Sequence, residues 1–483
     1  MEKEKFYLTT TLPYVNASPH IGFATEIIRA DVIARYQKGL GKDIFFNTGT
    51  DEHGQKIYDK ATEAGKTPQE YVDGYSAEFQ KIIPLLGISS DIHFVRTTDD
   101  HHKIAAQEMW RRCVANGDIY KANHQVKYCK GCELEKTDSE LEDGKCPLHT
   151  TYEIEIREEE NYFFRFSKYQ EALLELYRKN PTFVVPEFRL KEITSFVEGG
   201  LQDFSVSRLK SKMSWGIPVP DDEDHVMYVW FDALTNYIST TGWPEKEDFG
   251  GWWPGIQFAG KDNLRQQSAV WQAMLLSAKL PTSKQIYIGG FINSGGQKMS
   301  KSLGNVISPH ELVERYGTDA TRYLLLRHVH PYEDTDITWE RLDEWYTANL
   351  VNGLGNLTSR ILKMSETYLD KSPYSQGVEV MNAVRNDTKE REFEYALRSF
   401  NLQVAIDEIW RIVGQIDLQI THEEPFKVVK EDKKKAKEMI EVYLYYLVRI
   451  GLLVEPFMPE TSKTILDAIK TNKKPENLFP RLL

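Results

Sequence analysis

The chain has 483 residues, 41% hydrophobic and 27% charged, enough to bury several cores and to build two or three domains. Its formal net charge of -12 argues against a protein that coats nucleic acid through bulk electrostatics. No apolar stretch is long enough to cross a bilayer, and Met1-Glu2-Lys3-Glu4-Lys5 leads straight into a strand-like run without a signal segment, so a cytoplasmic location is expected.

The run from Phe6 to Thr11 reads as a short strand. Pro19-His20-Ile21-Gly22-Phe23 follows and opens a helix whose apolar face, Ile21, Ala24, Ile27, Ile28 and Val32, runs on to Gly39. Backbone N–H groups at such a helix start point at a phosphate. Asp43 to Asn47 then reads as a buried strand that ends at Gly49-Thr50-Asp51-Glu52-His53-Gly54. This alternation predicts an α/β parallel sheet over residues 1–115, with candidate site residues at the carboxyl ends of its strands.

Residues 116–225 read as an insertion of short strands and a Glu-rich hairpin. Within it, at about 126–150, Cys129-x2-Cys132 and Cys146-Pro147-Leu148-His149 have Cys3His spacing for tetrahedral zinc. A disulfide would leave one thiol over. Cys113, in an apolar helical pattern near Met109 and Trp110, reads as core.

Strand-like Val226 to Phe231, Ile256 to Gly260 and Gln285 to Phe291 resume the α/β alternation over residues 226–347. They lead to Lys298-Met299-Ser300-Lys301-Ser302, where two ammonium groups on a small hydroxyl-rich loop suit a triphosphate. With the His20 segment this describes an ATP site built from two distant stretches. Residues 348–483 read as a helical bundle, with Leu350, Leu354, Leu357 and Ile361 in a seven-residue apolar spacing. Lys427, Lys430 and the run from Lys433 to Lys437 offer either a local basic face for RNA or a solvated helix face.

In this order the two nucleotide segments resemble the HIGH and KMSKS signatures of class I aminoacyl-tRNA synthetases, the second letter-perfect and the first ending in Phe23 in place of His. Over almost the whole chain the resemblance is to the methionyl-tRNA synthetase family. It is carried by Leu12-Pro13-Tyr14, the GTDEHG stretch, the Cys/His knuckle, Asn161-Tyr162-Phe163-Phe164 and Trp215 to Pro220. Tyr228 to Ala233, Gly260-Lys261-Asp262, Lys298 to Gly304 and Gly355-Asn356-Leu357 with Arg360 complete it. The insertion is too short for a separate editing domain.

The resemblance implies a Rossmann-type catalytic domain, an inserted zinc-knuckle connective domain and a C-terminal α-helical anticodon-binding bundle. It implies activation of L-methionine with ATP and Mg²⁺ to methionyl-adenylate, release of pyrophosphate, and transfer of the methionyl group to the 3′ end of tRNA(Met). ATP would be held by His20, Gly22, Phe23, Asp262, Lys298, Met299, Ser300, Lys301 and Ser302. Among these, His20, Lys298 and Lys301 would stabilise transition-state charge, for alignment and electrostatics carry such a reaction. Leu12, Tyr14, Trp230, Ala233 and Tyr237 would enclose the methionine thioether, with Asp51 on its ammonium. Cys129, Cys132, Cys146 and His149 would hold a structural Zn²⁺. Asn356, Arg360 and Phe426, the last where the family usually carries Trp, would read the anticodon.

Two departures stand out. Phe23 cannot donate the hydrogen bond of the histidine it replaces. Where the family usually reads Ile after Gly-Lys-Asp and then Phe-His, this chain has Asn263, Gln266 and Gln267, and Gln267 is expected to take over a hydrogen-bonding role beside the methionine pocket. A class I enzyme for another amino acid, a small-molecule nucleotidyltransferase and a non-catalytic RNA-binding paralogue stay open on the sequence. A monomer is expected, because the sequence stops at Leu483 without the OB-fold domain that dimerises some relatives.

Overall fold

The computed structural model describes residues 3–132, 134–136, 140–246, 248–299, 305–375 and 391–482. They fall into two compact units. The first draws on residues 1–19, 41–81 and 90–289, the second on residues 20–40, 82–89 and 290–483.

The first unit is built on a six-stranded parallel sheet of β1 (Lys5–Thr9), β2 (Asp43–Thr50), β3 (Ile92–Arg96), β4 (Val184–Val185), β5 (Ile256–Gly260) and β6 (Gln285–Gly289). The strand order is β3-β2-β1-β5-β6-β4. Consecutive residues Phe6, Tyr7 and Leu8 are all buried, as in a parallel sheet covered on both faces. Gly49 lets β2 lie close to β3, since a Cβ there would stand 1.8 Å from the Val95 carbonyl oxygen. Beside β1 the order changes direction: β2 lies on one flank and the much later β5 on the other. Such a switch point opens a crevice outside the carboxyl ends of the strands.

Between β3 and β5 the chain makes a four-stranded antiparallel sheet in which Ile119–Cys129 pairs with Glu155–Phe164 along nearly its whole length. β4 comes from the same stretch, yet it pairs with β6 at the edge of the main sheet. A smaller antiparallel sheet joins Ser207–Leu209, Asp222–Met227 and Pro218–Val219. The run Val226 to Phe231, which reads as one strand, divides here: the strand ends at Met227, and Val229–Ala233 is helical. Its β-branched and aromatic residues favour a strand locally. The helix wins because Asp232 is fixed in the interior by two histidines from elsewhere in the unit.

The second unit is mainly helical. The helix Ile21–Gly39 packs with Thr318–His328, and Asn356–Tyr368, Leu402–Glu423, Lys433–Val454 and Pro459–Thr471 follow. Leu350, Leu354, Leu357 and Ile361 are fully buried, as their spacing predicts. A small sheet of Ile292–Ser294, Gln297–Lys298 and Thr335–Asp336 precedes these last four helices.

A buried ion pair fastens this unit. Arg322, fully buried, donates to Asp31 Oδ2 at 2.7 Å, to the carbonyls of Phe457 and Pro456 at 2.7 and 3.0 Å, and to Leu86 O at 3.1 Å. Asp31, also fully buried, accepts from Arg35 Nε and from the Ser89 backbone N–H, both at 2.8 Å. Every charge is matched by hydrogen bonds, the condition under which a buried pair is tolerated. Replacing Arg322 by Met should destabilise the protein by about 3–5 kcal/mol in denaturant titration, because Asp31 would keep its charge without its main partner.

Candidate functional site

The turn after β2 is fixed residue by residue. Tyr14 and Asp51 form a parallel bridge, with Asp51 N donating to Pro13 O at 3.0 Å and Val15 N to Asp51 O at 3.2 Å. The continuations of β1 and β2 therefore run together beyond the sheet, and Leu12, Tyr14 and Asp51 stand at the carboxyl ends of neighbouring strands. Asp51 is 7% exposed. Glu52 turns away into a bidentate pair with Arg96, 2.7 and 2.9 Å, and also accepts from Thr50 and Thr98 at 2.6 Å. Its carbonyl accepts from Trp215 Nε1 at 2.6 Å, and Gly54 N donates back to Trp215 O at 3.3 Å. Trp215 opens the Trp-Gly-Ile-Pro-Val-Pro stretch, so two motifs far apart in sequence brace one turn.

His53 continues the brace. Its Nδ1 lies 2.7 Å from Asp232 Oδ2, while His102 Nε2 lies 2.9 Å from Asp232 Oδ1 and His102 Nδ1 3.0 Å from Ser239 Oγ. Burial would raise the Asp232 carboxyl, but the charge and hydrogen bonds of His53 and His102 outweigh it and hold the group below the ordinary carboxylate range. This carboxylate ties the Asp51 turn to the helix that carries Trp230 and Ala233. Trp230 is half-buried; Ala233 and, one turn on, Tyr237 are buried.

Tyr237 and Gln267 meet. Gln267 Nε2 donates to the Tyr237 hydroxyl at 2.6 Å. Gln267 lies in a π-helical turn, Gln266–Val270, and is 2% exposed. Asp262 and Asn263 lie on the preceding turn at the carboxyl end of β5, Asp262 exposed and accepting from Asn263 Nδ2 at 3.3 Å. Asp262 is also on the carboxyl-terminal edge of the sheet, the edge that carries Tyr14 and Asp51.

In the second unit, His20 is the N-cap of the helix Ile21–Gly39. Its Nδ1 accepts from the Gly22 N–H at 3.0 Å, which in the neutral ring leaves the proton on Nε2. The ring lies so close that a Cβ on Gly22 would meet it at 2.7 Å, so a larger residue there would displace the imidazole from this capping position. His20 is exposed, whereas Phe23 is 8% exposed and packs inward. Lys298 closes a hairpin whose two turn residues, Gly295 and Gly296, both take positive φ, as a type I′ turn demands. Gly296 N donates to Asp336 Oδ1 at 2.7 Å, pinning the turn. Met299 is half-buried; Ser300, Lys301 and Ser302 lie outside the described residues.

Cys129, Cys132, Cys146 and His149 converge, their ligand atoms all within 4.8 Å of one another. Cys132 Sγ lies 3.2 Å from both Cys146 Sγ and His149 Nδ1, and all the cysteines are free of disulfides. Burial and a hydrogen bond to Cys146 push the Cys132 thiol up to about 12. Burial opposes ionisation of Cys146 too, but hydrogen bonds from Cys132 and other neighbours hold it below the usual thiol range. Sulfurs that surround zinc tetrahedrally at about 2.3 Å stand about 3.8 Å apart, within the spread of these donor atoms, so the donor set fits a four-coordinate metal. A Cβ on Gly131 would strike the His149 ring at 2.4 Å, so the knuckle turn closes only over glycine.

The expected anticodon residues are partly gathered. Arg360 and Phe426 line one concave surface of about 380 Å³ together with Lys363, Met364, Ile420 and Lys474. Phe426 is 45% exposed, and Arg360 Nη1 is held by Asp417 Oδ1 at 2.5 Å. Asn356 is exposed one turn earlier on the same helix as Arg360, outside that lining. The sequence reading did not include Lys363 and Lys474; basic residues on a helix and near the chain end carry no local signal that tells them from ordinary surface.

The family model for class I tRNA synthetases (M) matches residues 6–154 and 139–362. The chain is 39% identical to the methionine--tRNA ligase of Thermotoga maritima over 98% of its own length and 76% of the relative's. It is 40% identical to that of Brucella suis over 97% of its own length and 92% of the relative's. The structure of Mycobacterium tuberculosis methionyl-tRNA synthetase in complex with methionyl-adenylate superposes with a TM-score of 0.89 at 36% identity, covering 97% of this chain and 94% of that one. The apo form of the same enzyme gives 0.83 at 32% identity. The chain belongs to the class I aminoacyl-tRNA synthetases and, within them, to the methionyl-tRNA synthetase family.

Proposed function

We propose that the crevice at the carboxyl ends of β1, β2 and β5 activates L-methionine with ATP, and that the chain then charges tRNA(Met). The observation that carries this is the bridged pair Tyr14 and Asp51 at the sheet's switch point, tied through His53 and Asp232 to the Trp230 helix. The nearly enclosed Asp51 carboxylate is suited to a substrate ammonium, and Leu12, Tyr14, Trp230, Ala233 and Tyr237 to a thioether, which favours aromatic edges.

The methionine carboxylate attacks the α-phosphorus of ATP; the bond from that phosphorus to the bridging oxygen breaks and pyrophosphate leaves. The terminal ribose hydroxyl of tRNA then attacks the acyl carbon of the adenylate and AMP departs. Neither step needs a protein nucleophile. The protein's part is alignment and donors aimed at phosphate oxygens. His20, with its proton on Nε2, and the N-terminus of its helix suit that part. The resemblance adds Lys298 and Lys301 as further donors and Gly22, Phe23, Asp262, Met299, Ser300 and Ser302 as ATP-binding residues. Mg²⁺ brought in on the ATP phosphates would supply further charge neutralisation there. Cys129, Cys132, Cys146 and His149 would hold a zinc with four protein ligands, which would serve a structural role. Arg360, Asn356 and Phe426 suit unstacked anticodon bases, and Lys363 and Lys474 the backbone beside them.

In ATP–pyrophosphate exchange across the twenty amino acids, methionine should be the one that drives exchange. Asp51→Asn should lower kcat/KM for methionine by about 10- to 100-fold, the worth of a hydrogen bond to a charged group. Exchange with another amino acid, or none from zinc-loaded protein, overturns the reading. Elemental analysis should find one zinc per chain, lost in Cys146→Ser, with a lowered melting temperature. Arg360→Ala and Phe426→Ala should each weaken aminoacylation by about 1–3 kcal/mol in kcat/KM for tRNA while leaving exchange unchanged.

A further inference from the structure

Three adjacent strands frame the mouth of the crevice. β1 lies between β2 and β5, and neighbouring strands stand about 4.8 Å apart, so the two flanks are separated by about 10 Å, with Tyr14 on the continuation of β1 between them. The Cys/His knuckle is tied to both flanks. On one side Lys130, between Cys129 and Cys132, forms an ion pair with Asp59 Oδ2 at 3.0 Å, and Asp59 lies on the helix Gln55–Glu63 that follows the Asp51 turn of β2. On the other, Glu140 Oε1 accepts from Arg265 Nη1 at 2.7 Å, and Arg265 stands two residues before Gln267 on the turn that follows β5. Both wall residues are held in place. The Arg265 guanidinium lies 4.2 Å from the centroid of the Phe196 ring, and Asp59 Oδ1 accepts from Gln55 Nε2 at 2.8 Å. Glu140 falls between Cys132 and Cys146, and the four donor atoms of the knuckle lie within 4.8 Å of one another, so the two anchors belong to one small folded piece.

Anchored on both flanks, the knuckle crosses the continuation of β1. We infer that Lys130 and Glu140 make it a strap across the crevice, and that Asp59 and Arg265, the residues it grips, are positioning residues that set the width of the methionine site and slow the escape of the adenylate. The inference rests on the proposal that this crevice takes methionine. An amino acid with its ammonium at Asp51, beyond β2, and its side chain toward Tyr237, whose hydroxyl meets Gln267 beyond β5, would depend on both flanks at once, so a change in their separation would loosen it at both ends. Asp59 and Arg265 are not catalytic residues; they act through the walls. Both ion pairs are partly exposed, so each contributes modestly and is screened by salt.

The test measures methionine KM in ATP–pyrophosphate exchange at saturating ATP, together with the rate at which preformed methionyl-adenylate is lost from the enzyme. Asp59→Asn and Arg265→Gln alter the walls and leave every knuckle residue in place, so zinc content should match that of the unaltered protein. Each should raise methionine KM and speed adenylate loss by about 2- to 5-fold, the worth of a partly exposed ion pair, with kcat for exchange unchanged. A strap freed at one end no longer holds the other wall. The two substitutions combined should therefore do little more than either alone, although they lie on opposite sides of β1. Arg265→Lys, which keeps the charge, should recover most of the loss. In the unaltered protein methionine KM should rise with salt, and in the combined variant that rise should largely disappear. Additive losses, loss of zinc from either variant, or unchanged KM and adenylate release in both overturns the strap, while exchange with methionine leaves the pocket standing. No exchange with methionine in the unaltered protein removes the pocket, and the strap falls with it.

Discussion

A carboxylate taken out of water and given several donors organises each of the two units. Asp31 does so on the helix that begins at His20, where Arg322, Arg35 and the Ser89 backbone all converge on it. Losing the hydration of two charges costs several kcal/mol per ion, and the arrangement survives because Arg322 reaches carbonyls from two other segments as well. Such an arrangement has one good geometry and many bad ones. It therefore specifies how the His20 helix lies against its neighbours far more narrowly than Leu and Ile contacts do, and the imidazole at the helix start inherits that definition. Asp232 repeats the device in the sheet unit, with two histidines in place of an arginine.

The GTDEHG stretch shows what a motif is made of. Around the nearly enclosed Asp51, Gly49 permits strand approach, Glu52 anchors to Arg96, His53 to Asp232, and Gly54, at φ 109°, adopts a conformation that disfavours other residues. Four of the six positions thus build a platform for one carboxylate. Catalysis that rests on alignment depends on such platforms, because a displacement of an ångström at the reacting atoms is enough to lose most of the rate.

How much of this was readable beforehand follows from the range of the forces involved. The βαβ alternation, the buried leucines of the terminal helices and the Cys/His spacing are local patterns, and they were legible as α/β sheet, helical bundle and metal knuckle. The Val226 to Phe231 run was not, since its helix depends on Asp232 meeting His53, 179 positions away, and no window on the sequence contains both. The same holds for Trp215 with Glu52 and for the ring of Gln257, Gln267, Gln272 and Ser283. The loop of Lys298 to Ser302 was readable as suited to a triphosphate, whereas the residues proposed to enclose methionine were recognisable only through resemblance; taken alone, Trp230, Ala233 and Tyr237 have the spacing of any buried helix face.

Gln257, Gln267, Gln272 and Ser283, all buried, are joined in one circuit of hydrogen bonds, and that circuit constrains how this sequence can change over time. Its members share one direction of hydrogen bonding, so replacing one amide by a group of opposite polarity sets donor against donor somewhere in the interior. Drift at one position is then harmful until a second position has changed, and the two alterations must arrive nearly together or through a neutral intermediate. Gln257, Gln267, Gln272 and Ser283 are in that sense a single inherited character spread over four codons, and lineages carrying a different residue at the place of Gln267 would have to differ at its partners too.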